Sequence, residues 1–329
     1  MEVLQTYLEQ HFKTSVAILS HQLLSGGACQ DNFLLKIEKN NIKENVVLRT
    51  DRGGSLLSSL NRLDEYAVAE LAFQNEVLTP EPLWTECENI DIFGHPFVFF
   101  RKIDGTTDPR TIMKDKSLSE AREKLPLQLA TGLGKIHSIK YIPYSEFGSL
   151  PKPVSSEDYA KKSVKDFLNE VDKLPERHPV FESAAAWMLD NLPGPLPLVL
   201  VHGDYRMGNF MVDDSGLTGV LDWEFAHWGD PAEDIAWMCL RDWRFGQLKK
   251  ECAGITSREN FEELYSKQVG DFEFSRVKFW EVMGNARWAL GTLQQTNRVL
   301  AGKAKGVELL AIGRRCCEME YEMMRLIYA

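Results

Sequence analysis

Short apolar runs bounded by turn residues dominate the first third of the chain, and longer stretches with helical spacing dominate the rest. Residues 3–13 carry apolar positions at roughly helical spacing. Strand-like runs follow at Val16-Ala17-Ile18-Leu19, Phe33-Leu34-Leu35-Lys36-Ile37 and Val46-Val47-Leu48-Arg49. Leu60 to Leu78 reads as a helix stopped by Thr79-Pro80-Glu81-Pro82, and the apolar runs Ile90–Phe93 and Pro96–Phe100 are expected to complete a small antiparallel sheet. Beyond a short hinge at Arg101-Lys102-Ile103-Asp104-Gly105, helices are expected at Ser119–Ser138, Ser156–Leu174, Val180–Leu192, Ser275–Leu300 and Lys305–Ile327. The pattern predicts an α+β chain: a sheet-based N-lobe with one main helix over residues 1–101 and a mainly helical C-lobe over 102–329.

The chemistry concentrates in His202-Gly203-Asp204-Tyr205-Arg206-Met207-Gly208-Asn209 and the segment after it. Phe210-Met211-Val212-Asp213 and Gly219-Val220-Leu221-Asp222 flank Asp214-Ser215-Gly216 and predict a β-hairpin that keeps Asn209 and Asp222 near one end. Phosphoryl transfer needs a placed hydroxyl, a nucleotide and hard cations, and such cations prefer carboxylate and amide oxygens. Asp and Asn also favour turns for local reasons, so the combination carries the reading and no single residue does. Asp230-Pro231-Ala232-Glu233 has the form of a helix start, with Asp230 as its cap.

The octapeptide resembles the His-x-Asp-x-x-x-x-Asn catalytic loop of protein kinases, and with Leu221-Asp222-Trp223-Glu224 and Gly229-Asp230-Pro231 it is similar to the aminoglycoside phosphotransferase and choline kinase-like families. The wording is nearest to the branch found fused to acyl-CoA dehydrogenases, although no dehydrogenase domain is read in these 329 residues. The resemblance implies a bilobal protein-kinase-like fold and an ATP- and Mg²⁺-dependent kinase. It casts Asp204 as the group that orients and deprotonates the acceptor hydroxyl, and Asn209 and Asp222 as Mg²⁺ ligands. It gives Arg49 the phosphate grip where a Lys is usual, with Glu65 on the next helix as its partner. Two roles stay open for Arg206, stabilising the transferring group or pairing structurally, while Asp234 is expected to brace the loop and His202 to be a buried anchor.

Gly26-Gly27, within Leu24 to Phe33, is placed to let backbone N–H groups cover nucleotide phosphates. The Walker A pattern is absent from the sequence. The tryptophans 223, 228, 237, 243, 280 and 288 read mainly as core, with one or two lining a pocket.

Composition narrows the partners: a net charge of −10 argues against nucleic acid, which is met by clustered Lys and Arg. No apolar run approaches the ~20 residues that span a bilayer, the N-terminus lacks a basic signal region, and the six cysteines form no Cys-x-x-Cys pair, so a cytoplasmic setting is expected. The expected partner is a small hydroxylated molecule. The branch resemblance favours a hydroxy-acyl or hydroxylated carboxylate metabolite, with Arg287 as the cationic contact, and an aminoglycoside or choline-like amine is the alternative. A non-catalytic nucleotide-binding module is the alternative of another class, favoured only by Arg49 in place of Lys.

Overall fold

The structure, a computed structural model, describes residues 2–24, 30–51, 59–140, 150, 152–302 and 305–328. Its contacts divide the chain into two compact units, one comprising Met1–Gln128, Ile142–Leu150 and Gly208–Ala226, the other Leu129–Tyr141, Pro151–Met207 and His227–Ala329.

The first unit opens with helix α1 (Glu2–Phe12) and strands β1 (Val16–Leu24), β2 (Gln30–Lys39) and β3 (Ile42–Asp51), followed by α2 (Arg62–Gln74), β4 (Pro82–Glu86), β5 (Phe97–Arg101) and α3 (Pro109–Lys114). The strands form one antiparallel sheet in the order β1-β2-β3-β5-β4. Leu4, Tyr7 and Leu8 of α1 pack on Leu35, Val46, Leu48, Phe97 and Phe99. Because side chains alternate along a strand, burying Val46, Leu48 and Thr50 sends Val47, Arg49 and Asp51 to the opposite face.

Helix α4 (Ser119–Ser138) runs from the first unit into the second, which continues with α5 (Ser156–Val171), α6 (Pro179–Asp190) and β6 (Val199–Val201). The hairpin β7 (Phe210–Asp213) and β8 (Gly216–Val220) returns to the first unit. Strand β9 (His227–Gly229) pairs antiparallel with β6, and α7 (Ala232–Met238), α8 (Arg258–Val269), α9 (Ser275–Leu300), α10 (Val307–Ile312) and α11 (Cys316–Tyr328) follow. The α+β class expected from the sequence is the class observed. Among the described residues no helix is long and apolar enough to cross a membrane.

Two expectations are corrected. Ile90–Ile92 is a single 3₁₀ turn, and the fifth strand of the sheet is β4, which begins at the proline read as a helix stop. The Glu86 carboxylate accepts from the Glu88 and Asn89 backbone N–H groups at 2.7 and 3.0 Å, a local capture that turns the chain where the apolar run alone reads as a strand. The expected final helix is divided by a 3₁₀ turn at Gly313–Arg315. There the Thr296 hydroxyl donates to the Leu309 carbonyl at 2.8 Å, and a Cβ on Gly313 would lie 2.2 Å from that hydroxyl oxygen.

Candidate active site

In the first unit, strand alternation and helical spacing converge on one charged cluster. Arg49 and Asp51 share a face of β3, and Arg62 and Glu65, three apart, share a face of α2. Asn61 caps α2 by accepting from the Leu63 and Asp64 N–H groups, fixing its first turn. Glu65 then sits between two guanidiniums: Arg49 Nη1 lies 2.7 Å from its Oε1, and Arg62 pairs with its other oxygen. Arg62 also reaches Asp51 at 2.5 Å, Arg49 Nη2 donates to Asp222 Oδ1 at 3.1 Å, and Arg49 Nε donates to Asn32, its cross-strand neighbour, at 3.0 Å. Burial works against the Arg49 charge, but Glu65 and Asp222 outweigh it and hold the guanidinium pKa above its ordinary value.

Asp222 lies two residues past the end of β8 in the left-handed region, at φ 70° and ψ 69°. That conformation is uncommon for a residue with a side chain and has to be imposed by its surroundings. On one side, Leu221 N–H donates to the Asn209 carbonyl at 2.8 Å, which ties the backbone beside Asp222 to Asn209. On the other, Thr79 donates to the Val220 carbonyl at 3.0 Å and accepts from the Trp223 indole at 3.1 Å. Strand β7 spans the expected Phe210–Asp213, whereas β8 begins at Gly216, read as turn, and ends at Val220, so that Leu221 and Asp222 stand beyond it.

Within the second unit the loop after β6 is held from α7. Asp234, fully buried, accepts from the backbone N–H of His202 and of Gly203, each at 2.8 Å, and contacts His137 Nε2 at 3.2 Å. Three residues on, Trp237 donates its indole N–H to Asp204 Oδ1 at 2.6 Å, and Arg206 Nε donates to the same oxygen at 2.7 Å. The Arg206 guanidinium rests over the Trp243 ring at 4.3 Å, and the Tyr205 hydroxyl donates to the Leu129 carbonyl at 2.9 Å. His202 is buried, as an anchor would be. Gly203, at φ 79°, supplies the left-handed turn that brings successive N–H groups onto one carboxylate.

Asp230 accepts from Ala232 N–H at 3.0 Å as a cap does, and also forms a buried pair with Arg276. Arg287, on α9, is paired with Glu233 and donates to Ser163 at 3.1 Å and to Tyr159 at 3.3 Å. Gly26 and Gly27 lie outside the described residues. Sequence reasoning missed Arg62 and Trp237 as site residues. Each stands three positions from a residue it did single out, Glu65 and Asp234, on the same helix face.

A profile of the phosphotransferase enzyme family matches residues 20–280, and the chain belongs to that family. It is 28% identical over 287 residues to acyl-CoA dehydrogenase family member 10 of Mus musculus, a match covering 82% of this chain and 26% of that protein. The chain therefore spans about a quarter of that relative's length. Its fold is that of a putative aminoglycoside phosphotransferase from Ralstonia eutropha JMP134, with a TM-score of 0.75, 21% identity and coverage of 99% and 97% of the two chains. The aminoglycoside phosphotransferase APH(4)-Ia, solved as a ternary complex with AMP-PNP and hygromycin B, aligns at a TM-score of 0.64 with 15% identity, covering 99% of both chains.

Proposed function

We propose that this chain is an ATP- and Mg²⁺-dependent kinase that phosphorylates the hydroxyl of a small metabolite. The observation that supports the reading is the Leu221 N–H bond to the Asn209 carbonyl, which keeps the backbone of Asn209 beside that of Asp222 and makes their amide and carboxylate, five and eighteen positions after Asp204, the candidate donor set. The donor set fits a hard cation: Asp222 keeps 32% of its side chain exposed, and the cluster around it sets two guanidiniums among three carboxylates, a net negative charge. Bound there by Asn209 and Asp222, Mg²⁺ would neutralise charge on the phosphate oxygens.

Asp204 receives the acceptor's proton as the hydroxyl oxygen bonds to the γ-phosphorus and the bond to the ADP oxygen breaks. Trp237 and Arg206 both load one oxygen of Asp204 and fix its carboxylate plane. Arg49 stays charged between Glu65 and Asp222 and is the residue assigned to meet the phosphate oxygens. The acceptor is a small hydroxylated anion, and hydroxylated carboxylates and phosphorylated alcohols are the classes to test. The family relationship supports phosphotransfer, and APH(4)-Ia with its AMP-PNP supports a nucleotide as donor.

The test is ADP release by purified protein against pools of hydroxylated metabolites, paired with nucleotide-dependent melting. A ligand at one hundred times its Kd stabilises the native state by about 2.7 kcal/mol. Wild type should show an Mg-ATP shift of that order, and Asp222→Ala should lose it. Equal shifts in the two proteins would remove the metal assignment, and efficient phosphorylation of an aminoglycoside with anionic alcohols inert would replace the acceptor class.

A further inference from the structure

We propose that a second cleft, in the unit that carries Asp204, binds the phosphate group of a phosphorylated acceptor alcohol. The cleft, open to solvent and of ≈ 470 Å³, gathers Arg241, Arg244, Arg258, Lys278 and Arg325 in a chain whose net charge is −10. Against these five cations it sets three carboxylates, leaving two positive charges. Two of the carboxylates are each shared between two arginines. Glu322 lies 3.0 Å from Arg241 and 2.8 Å from Arg325, while Glu281 lies 2.7 Å from Arg258 and 3.6 Å from Arg244. One carboxylate cannot neutralise two guanidiniums. It can hold both in place, so the donors are organised before a ligand arrives, and Arg241 and Arg325 keep 44% and 41% of their side chains exposed.

The charge balance selects among anions. A phosphomonoester carries about −1.5 to −2 near neutral pH, matching the two uncompensated charges, whereas a carboxylate carries half of that or little more. Arg fork geometry also suits phosphate oxygens better than a point cation does. The cleft is linked to the loop of Asp204 by two contacts. Arg241 and Arg244 bound the 3₁₀ turn that holds Trp243, the Trp243 ring supports the Arg206 guanidinium, and Arg206 holds Asp204. The link to an acceptor rests on the kinase reading; anion binding by the cleft does not.

The direct experiment is calorimetric titration with inorganic pyrophosphate on protein first saturated with AMP-PNP, comparing wild type with Lys278→Gln/Arg325→Gln and with Lys278→Arg/Arg325→Lys. The Gln pair leaves Arg241 on Glu322 and should melt as wild type does. Removing two charge-assisted contacts should weaken binding about tenfold or more, and the charge-keeping pair should restore it to within about twofold. In the ADP-release assay, wild type should show a lower KM for glycerol 3-phosphate than for glycerol, and the Gln pair should raise the first KM without changing that of ATP. No pyrophosphate binding, or equal affinity in all three proteins, overturns the proposal. Equal KM for the two alcohols overturns it as well, making the cleft a site for free phosphate. Pyrophosphate binding that follows the charge, with no ADP release from any alcohol, removes the kinase reading and leaves the anion site standing.

Discussion

The two carboxylates assigned to phosphoryl transfer are held by different physics. Asp222 ends a chain of alternating charges, Asp51, Arg62, Glu65 and Arg49, in which the burial of Arg62 and Glu65 is tolerable only because their neighbours are charged. Asp204 is held mainly by directional donors, the Trp237 indole beside Arg206, and its loop is hung from Asp234 by two backbone N–H groups. The first arrangement leaves a net negative charge, which suits a cation. The second fixes the plane of one carboxylate. A grip on charge and a placement of one lone pair are separate demands, and the chain meets them with separate devices.

Isosteric neutralisation breaks the comparison most severely at Glu65. Removing its charge leaves two buried guanidiniums opposed, so Glu65→Gln should lose about 3–5 kcal/mol of unfolding free energy, read from urea melts. Asp234→Asn should lose less, about 1–3 kcal/mol, because an amide oxygen still accepts one backbone N–H. Equal losses would mean that both regions are held in the same way.

The same contrast has a pH form in the second unit. Burial opposes the Glu233 charge, yet Arg287 and His227 outweigh it and hold that carboxyl at about 2 against an ordinary 4.5. A depressed value in the folded state means that the stabilisation is complete above about pH 4.5 and disappears as pH falls through about 2. Wild type should exceed Glu233→Gln by an amount on the order of 3 kcal/mol at neutral pH, with the gap closing towards pH 2. A gap independent of pH would show that the pair contributes no charge-dependent stability. The smallest effect is expected at Trp237→Phe, which keeps the ring and removes one donor from a charged oxygen. It should cut turnover by about tenfold, as the loss of a charged hydrogen bond worth ~1.5–3 kcal/mol allows, with the KM for ATP unchanged.

The first region was legible through the family resemblance, which pairs Arg49 with Glu65. The structure brings them to 2.7 Å by alternation in β3 and by the face of α2 that Glu65 shares with Arg62. The hairpin was legible from its apolar runs and the Gly-containing turn, although Gly216 already pairs with Asp213 as the first residue of β8. What escaped was decided by contacts between distant segments. Trp237 reads as a core residue until its N–H is found on Asp204, thirty-three positions away. Nothing in the run Ile90–Phe93 announces that Glu86 will capture the backbone before it. Arg287 carries no mark in the sequence of its partner Glu233, which supplies the carboxylate on which its charge is spent.

The central claim is that Asp204 is the proton acceptor of a phosphoryl transfer, and Asp204→Asn tests it with the least disturbance. The amide keeps the side chain's size and can still accept from Trp237 and Arg206. Steady-state ADP release with an identified acceptor should fall by roughly 10² to 10⁴ while the melting shift with Mg-ATP stays that of wild type. Turnover within a few fold of wild type would contradict the assignment.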